Sequence, residues 1–224
     1  MLRYLFLSVF ALLLLTACGG SGGSDLETFL QNDSDKCVKC DFSEVDLRNF
    51  TDLSEADLRE ANLFRAELTN ANLSEADLRE ANLFWAELTN ANLTDANLTG
   101  ADLMESDLRE ANLTRADLTN ANLAGADLME SYLAGANLTN ADLTNTTLAG
   151  ANMTGADLSE ADLRRANLNF ADLTGANMTG ADLRRAYLRG ANLAGANLTD
   201  AILDDVIGAD LTGAINVPER YLKD

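Results

Sequence analysis

Residues Thr51–Asn90 read TDLSEADLREANLFRAELTN followed at once by ANLSEADLREANLFWAELTN, a near-duplicate displaced by twenty residues. Each copy divides into four units of five, in which a small residue and then Asp, Asn or Glu precede a Leu, and a polar-rich pair follows. Working outward, Leu holds every fifth position from Leu53 to Leu203 except at Met153 and Met178. The residue two before it is Ala except at Thr51, Ser106, Ser131 and Thr146, all of them small. On an α-helix a step of five turns the side chain by about 140°, which scatters the leucines over every face. A continuous strand fails as well, because an odd period sends successive leucines to opposite faces.

Within one unit the geometry works. In an extended triplet such as Ala56-Asp57-Leu58 the first and third side chains share one side and Asp57 takes the other. The remaining pair, Arg59-Glu60, then turns the corner. If every unit turns the chain by the same angle, the path climbs as a coil, and the twenty-residue duplicate implies that four units close one coil.

The iterated ADLxx and ANLxx units resemble the pentapeptide-repeat proteins over Cys37 to about Leu211. The resemblance implies an all-β fold, a right-handed quadrilateral parallel β-helix of about eight coils, with the central Leu and the small residue pointing inward. It implies a scaffold and names no activity.

The 224 residues are 47% hydrophobic with a formal net charge of −20 and no His, enough apolar content for a long core under a strongly acidic surface. Nonspecific binding of nucleic acid or of anionic headgroups by the body of the rod is disfavoured. Catalysis finds no support and neither a cofactor nor a metal is expected: His is absent, and the carboxylates repeat along the chain rather than converge.

Residues 1–17 stand apart from the repeat. Met1-Leu2-Arg3 gives a positive start, Tyr4 to Leu15 an apolar run, and Leu15-Thr16-Ala17-Cys18 a small-residue site ending in Cys. This resembles a bacterial lipobox, which implies cleavage before Cys18, acylation there, and a lipid bilayer as partner. The location so implied is the cell envelope, and the outer membrane in a Gram-negative organism, since Gly19 is not Asp. An ordinary secretory signal is the other reading. Residues 18–24 then form a Gly/Ser tether, 25–36 an N-terminal cap with Leu26, Phe29 and Leu30 at helical spacing, 37–211 the β-helix and 212–224 a C-terminal cap. Val206, Ile207, Ile215, Val217, Tyr221 and Leu222 are the cap's expected apolar contacts, and the spacing of six from Leu47 to Leu53 predicts a bulge near Asn49-Phe50.

Cys37 and Cys40 fall on inward positions of the first units, as core residues or as a disulfide across the corner. A metal site would want further thiols or imidazoles. Stacking residues twenty apart places Phe64, Phe84 and Met104 in one column, with Arg65 over Trp85. That column is a self-packed ladder or a docking patch. Further along the same face stand Arg164, Arg165, Arg184 and Arg185, with Arg189 round the corner, a basic patch paired to neighbouring carboxylates or suited to anionic headgroups or a second copy of the chain. Glu55-Glu75-Asp95 and Glu67-Glu87-Asp107-Asp127 align as like-charge columns that need screening by cations or arginines.

Two functions are consistent with this surface. The first is an envelope-anchored, non-catalytic interaction scaffold. The alternative follows members of the resembled family that imitate DNA in shape and charge and bind a type II topoisomerase such as gyrase; an exported protein does not meet a cytoplasmic enzyme.

Overall fold

The computed structural model describes residues 36–48 and 52–222. Bridging residues are parallel and twenty apart in sequence from Asp52–Asn72 to Tyr187–Ile207, so four units do close one coil and each residue sits above its counterpart. The third residue of each unit and the small residue two before it point inward, and from Ala56 to Leu203 they form one continuous buried column. A fully buried Leu contributes about 1.5–3 kcal/mol of transfer free energy before conformational entropy is counted. Ser106, Ser131 and Thr146 are the buried polar members, and each hydroxyl donates to a leucine carbonyl: Leu103 at 2.6 Å, Leu128 at 2.7 Å and Leu123 at 2.9 Å.

The unit Ala96–Gly100 shows how five residues satisfy five backbone donors. Ala96 N–H closes the preceding turn on Leu93 O at 3.1 Å, and Asn97 N–H reaches one coil back to Ala76 O at 2.9 Å. Leu98 and Gly100 N–H reach one coil forward, to Asp117 O at 2.7 Å and Thr119 O at 2.9 Å. The fifth donor, Thr99 N–H, goes to the Asn97 side chain, Oδ1, at 3.1 Å. This is an Asx-turn, and it explains a choice that outward exposure alone does not: the second position must carry a side-chain oxygen within reach of the amide two residues on. At Tyr187 no such acceptor exists, and Arg189 N–H is taken at 2.9 Å by Asn169 Oδ1 from the coil before.

Side-chain amides also climb the rod. Asn82 Nδ2 donates to Asn62 Oδ1 at 3.1 Å, and Asn92 Nδ2 to Asn72 Oδ1 at 2.9 Å. From Glu55 to Asp205 the last residue of each unit has positive φ, between 55° at Arg65 and 72° at Gly125. With the N–H of the next residue bonded back across the corner, this is the type II turn pattern, in which Gly or Asn is at ease. Trp85 (φ 59°) and Phe170 (φ 62°) adopt the same conformation against the preference of bulky residues.

The register changes at both ends. Asp46 bridges Glu67, a separation of 21, whereas Asp52 bridges Asn72, so one additional residue lies between Asp46 and Asp52 as the spacing of six requires. At the other end Asn197 bridges Ile215, a separation of 18. Beyond it a 3-10 helix, Glu219–Tyr221, brings the Tyr221 hydroxyl over the last coil. That oxygen accepts Leu203 N–H at 3.0 Å and donates to Asp204 Oδ1 at 2.9 Å, capping a ladder donor that has no coil above it. Val206, Val217 and Tyr221 pack on the core as expected. Ile207, Ile215 and Leu222 are exposed instead, Ile207 and Ile215 because they occupy the outward bridging position. The leader, the tether and all of the N-terminal cap but Lys36 lie outside the described residues.

If the Asx oxygen matters more than the polarity of the site, Asn82→Leu should lose about 1–2 kcal/mol despite its gain in apolar surface. It deprives Phe84 N–H of its acceptor and Asn62 Oδ1 of one of its two donors, Phe64 N–H remaining. Urea denaturation would check this, and an unchanged midpoint would contradict it.

Candidate functional site

The outer surface is a regular field of carboxylates into which arginines are set by a local rule. Wherever the chain reads Asp-Leu-Arg, the guanidinium folds back on its own Asp: Arg59 Nε lies 2.7 Å from Asp57 Oδ1, and Arg79 and Arg109 repeat the fork on Asp77 and Asp107. Arg59 also stands 3.6 Å from Asp77 of the next coil, so it shields an Asp–Asp stack. The two acidic columns read from the sequence are screened by arginines at Asp95, Glu67, Asp107 and Asp127. Arg115 takes Asp95 at 2.5 Å, Arg48 lies 2.8 Å from Glu67, and Arg109 lies 3.9 Å from Asp127. Hydrogen bonds from Arg59, Arg79 and Arg109 hold the carboxyls of Asp57, Asp77 and Asp107 below the ordinary aspartate range. Such exposed pairs each add little stability. Their effect is to cancel repulsion that stacking creates.

At the aromatic corner the structure brings together the residues singled out by the stacking argument. Phe64 and Phe84 have ring centroids 5.8 Å apart, and Phe84 stacks on Trp85 at 4.5 Å. The Arg65 guanidinium lies 4.5 Å from the Trp85 ring and 5.0 Å from that of Phe64. The ladder is therefore internally packed, yet 42% of Trp85 stays exposed. Met104 continues the column half-buried.

Further along that corner, Arg164 and Arg184 fork onto Asp162 and Asp182, whereas Arg185 is only 3.7 Å from the exposed Asp205. The four arginines line a recess of about 410 Å³ with Thr144 and Asn145. Arg189 lies outside that recess. Two exposed apolar side chains near Arg189 escaped the sequence reading: Phe170, 67% exposed, and Tyr187. Phe170 lies over Gly190, where an added Cβ would come within 2.7 Å of the ring. The available signal was Gly190 twenty residues after Phe170, and Tyr187 standing where Asn or Asp is the rule.

Cys37 and Cys40 are joined in a disulfide, Cα atoms 5.3 Å apart, with Cys37 N–H donating to Asp57 O as a central Leu would. This corrects the expectation of a bilayer partner held through an acylated cysteine. The cysteines that the structure describes are a bonded pair and offer no thiol for acylation, and Cys18 lies outside the described residues. Among the described residues no helix is long and apolar enough to cross a membrane, and no group of three or more His, Cys, Asp or Glu could hold a metal ion.

The family model for pentapeptide repeats matches residues 40–79 and, in overlapping copies, 86–215. Among solved structures, the chain is similar to HetL, a pentapeptide repeat protein involved in heterocyst differentiation regulation from the cyanobacterium Nostoc sp. strain PCC 7120. That match has 32% identity, covers 84% of this chain and 92% of that one, and gives a TM-score of 0.51. Rfr23 from the cyanobacterium Cyanothece 51142 is 39% identical over 42% of this chain and 64% of its own, at a TM-score of 0.41. QnrB1, a plasmid-mediated fluoroquinolone resistance protein, is 18% identical over 80% and 87%, at a TM-score of 0.49. No curated protein sequence matches the chain significantly. The fold is a right-handed quadrilateral β-helix.

Two measurements check the surface chemistry. A carboxyl whose folded pKa is lowered stabilises the fold fully above its unfolded value, about 3.9, and that contribution is lost as pH falls through the folded pKa. Arg59→Gln should therefore raise the Asp57 titration toward the ordinary value in an NMR pH series; an unmoved curve would show that Arg59 is not the cause. For the disulfide, an alkylating reagent should label neither Cys37 nor Cys40 in unfolded, unreduced protein and both after reduction. Labelling before reduction would show free thiols.

Proposed function

The chain belongs to the pentapeptide-repeat family, and from that premise we propose that it is an exported, non-catalytic scaffold that binds a protein partner through departures from its own repeat. The observation that carries this reading is the aromatic corner. Trp85 occupies a turn position that favours Gly or Asn, is stacked on Phe84, is covered on one side by Arg65, and remains partly exposed. Trp and Arg are the side chains that most often dominate protein interfaces, and a pre-packed pair loses little freedom on binding.

Export is supported by residues 1–17, read as a leader, and by the Cys37–Cys40 bond, which suits an oxidising compartment. The further division into tether, N-terminal cap, β-helix and C-terminal cap belongs to the same reading. HetL is described as taking part in a regulatory process, and an interaction role of that general kind fits a rod without catalytic constellation.

A second reading is favoured by one observation, the net charge of −20 on a rod of stacked carboxylates. Such a rod can occupy a groove built for DNA, and a type II topoisomerase such as gyrase is the partner that this reading proposes.

Crosslinking in intact cells separates the two. Under the first reading, a Phe84→Ser/Trp85→Ser variant that keeps its circular dichroism spectrum loses a crosslinked protein that the parent captures outside the cytoplasm. Under the second, the purified rod inhibits gyrase supercoiling, the same variant inhibits equally well, and inhibition fades as salt rises. Retention of every crosslink by the variant would overturn the first reading, and absence of inhibition at low salt the second.

A further inference from the structure

We propose that the recess lined by Arg164, Arg165, Arg184 and Arg185 is a binding site for a tetrahedral oxyanion of the phosphate class, with Arg165 and Arg185 as its principal ligands.

Most of the rod's other arginines are already engaged. Arg48, Arg59, Arg79, Arg109, Arg164 and Arg184 each fork onto the Asp two residues before them, Arg115 pairs with Asp95, and Arg65 lies over two rings. Arg165 forms no ion pair among those described, and Arg185 makes a single long one, 3.7 Å, to an exposed carboxylate. The two nevertheless stand directly above one another, with Arg165 N–H bonded to the Arg184 carbonyl at 3.1 Å.

Nothing in the fold asks for this. Like charges a strand spacing apart, about 4.8 Å, are destabilising. Both residues also sit at positive φ, 60° and 63°, at a corner position filled by Gly125 and Asn145 in the preceding coils. Backbone preference and electrostatics therefore both oppose the pair, and a bound anion reverses the electrostatic part. Two planar guanidiniums one strand apart carry enough N–H donors to bind the oxygens of one tetrahedral group together.

The recess supplies the rest of a shell. Thr144 and Asn145 also line it, as do Arg164 and Arg184, whose guanidiniums are already fixed by their Asp forks. Asp205 also lines the recess, 3.7 Å from Arg185, and competes with the ligand for that guanidinium. A rod of charge −20 repels anions at long range, so binding here depends on contact geometry rather than on steering.

Calorimetric titration of the full chain with inorganic pyrophosphate and inorganic phosphate, at low ionic strength, tests the site. Saturable one-to-one binding is expected, weakened about tenfold or more by the double variant Arg165→Gln/Arg185→Gln, tightened by Asp205→Asn and unaffected by Arg115→Gln. The double variant should melt at the same temperature as the parent or higher, since it removes a repulsion. No saturable binding, equal affinity in parent and double variant, or a lowered melting temperature that marks the pair as structural would each overturn the assignment.

Discussion

Everything in this molecule depends on how five backbone N–H groups per unit find acceptors while the chain turns a corner every five residues. Two go forward to the next coil, one goes back, one closes the turn, and the fifth is taken by the side-chain oxygen of Asn or Asp, as in Ala96–Gly100. Buried or half-buried amides left unpaired are costly, so the second position of the unit favours Asn and Asp for a reason separate from the burial that selects Leu, and it departs from them more often, as at Tyr132, Tyr187 and Ile202. Leu fills the axis, and Asn or Asp completes the backbone. The acidic surface follows from this, because a position that accepts either residue accumulates negative charge whenever Asp is used.

That charge then needs management. Where Asp stacks on Asp, as at Asp57–Asp77 and Asp142–Asp162, an Arg two residues after one member of the pair forks back onto it. Where Asn stacks on Asp, as Asn122 on Asp102, the amide donates across the coils at 3.0 Å and no cation is needed. Arg48, Arg59, Arg79, Arg109, Arg164 and Arg184 follow this rule, and Arg115 pairs with Asp95 across coils. Arg65 over its rings and the Arg165–Arg185 stack do not, and they mark two places where the surface is organised for something other than its own stability.

The coil, its four-unit period and its inward residues were legible in the sequence because one constraint, the five-residue alternation of small residue and Leu, has a single geometric solution. The extra residue between Asp46 and Asp52 was legible for the same reason, as a slip in that period. The Asx-turn was not read, although Asn or Asp two residues before the turn amide is its ordinary signature. The C-terminal cap was legible as composition but not as direction. Ile207 and Ile215 read as core-seeking residues, and the bridging position turns them outward, while Tyr221 acts through its hydroxyl as much as its ring. At the candidate site, vertical stacking placed Arg65 over Trp85 from sequence alone; the weak pairing of Arg165 and Arg185 had a signal that was not read, since Leu163 and Leu183 stand two residues before them where Arg164 and Arg184 have Asp162 and Asp182.

The uniform bridge separation of twenty from Asp52 to Ile207 makes this protein a ruler. Phe84 and Arg164 lie on the same corner with four coil steps between them, a span of about 19 Å at the ordinary strand spacing. Every coil between them meets its neighbours through the same bonds, so removing or duplicating one block of twenty residues there changes that span by one graduation and leaves both sites intact. The distance between two recognition elements is in this fold a heritable quantity, adjustable in fixed increments by duplication events of the kind that Thr51–Asn90 records.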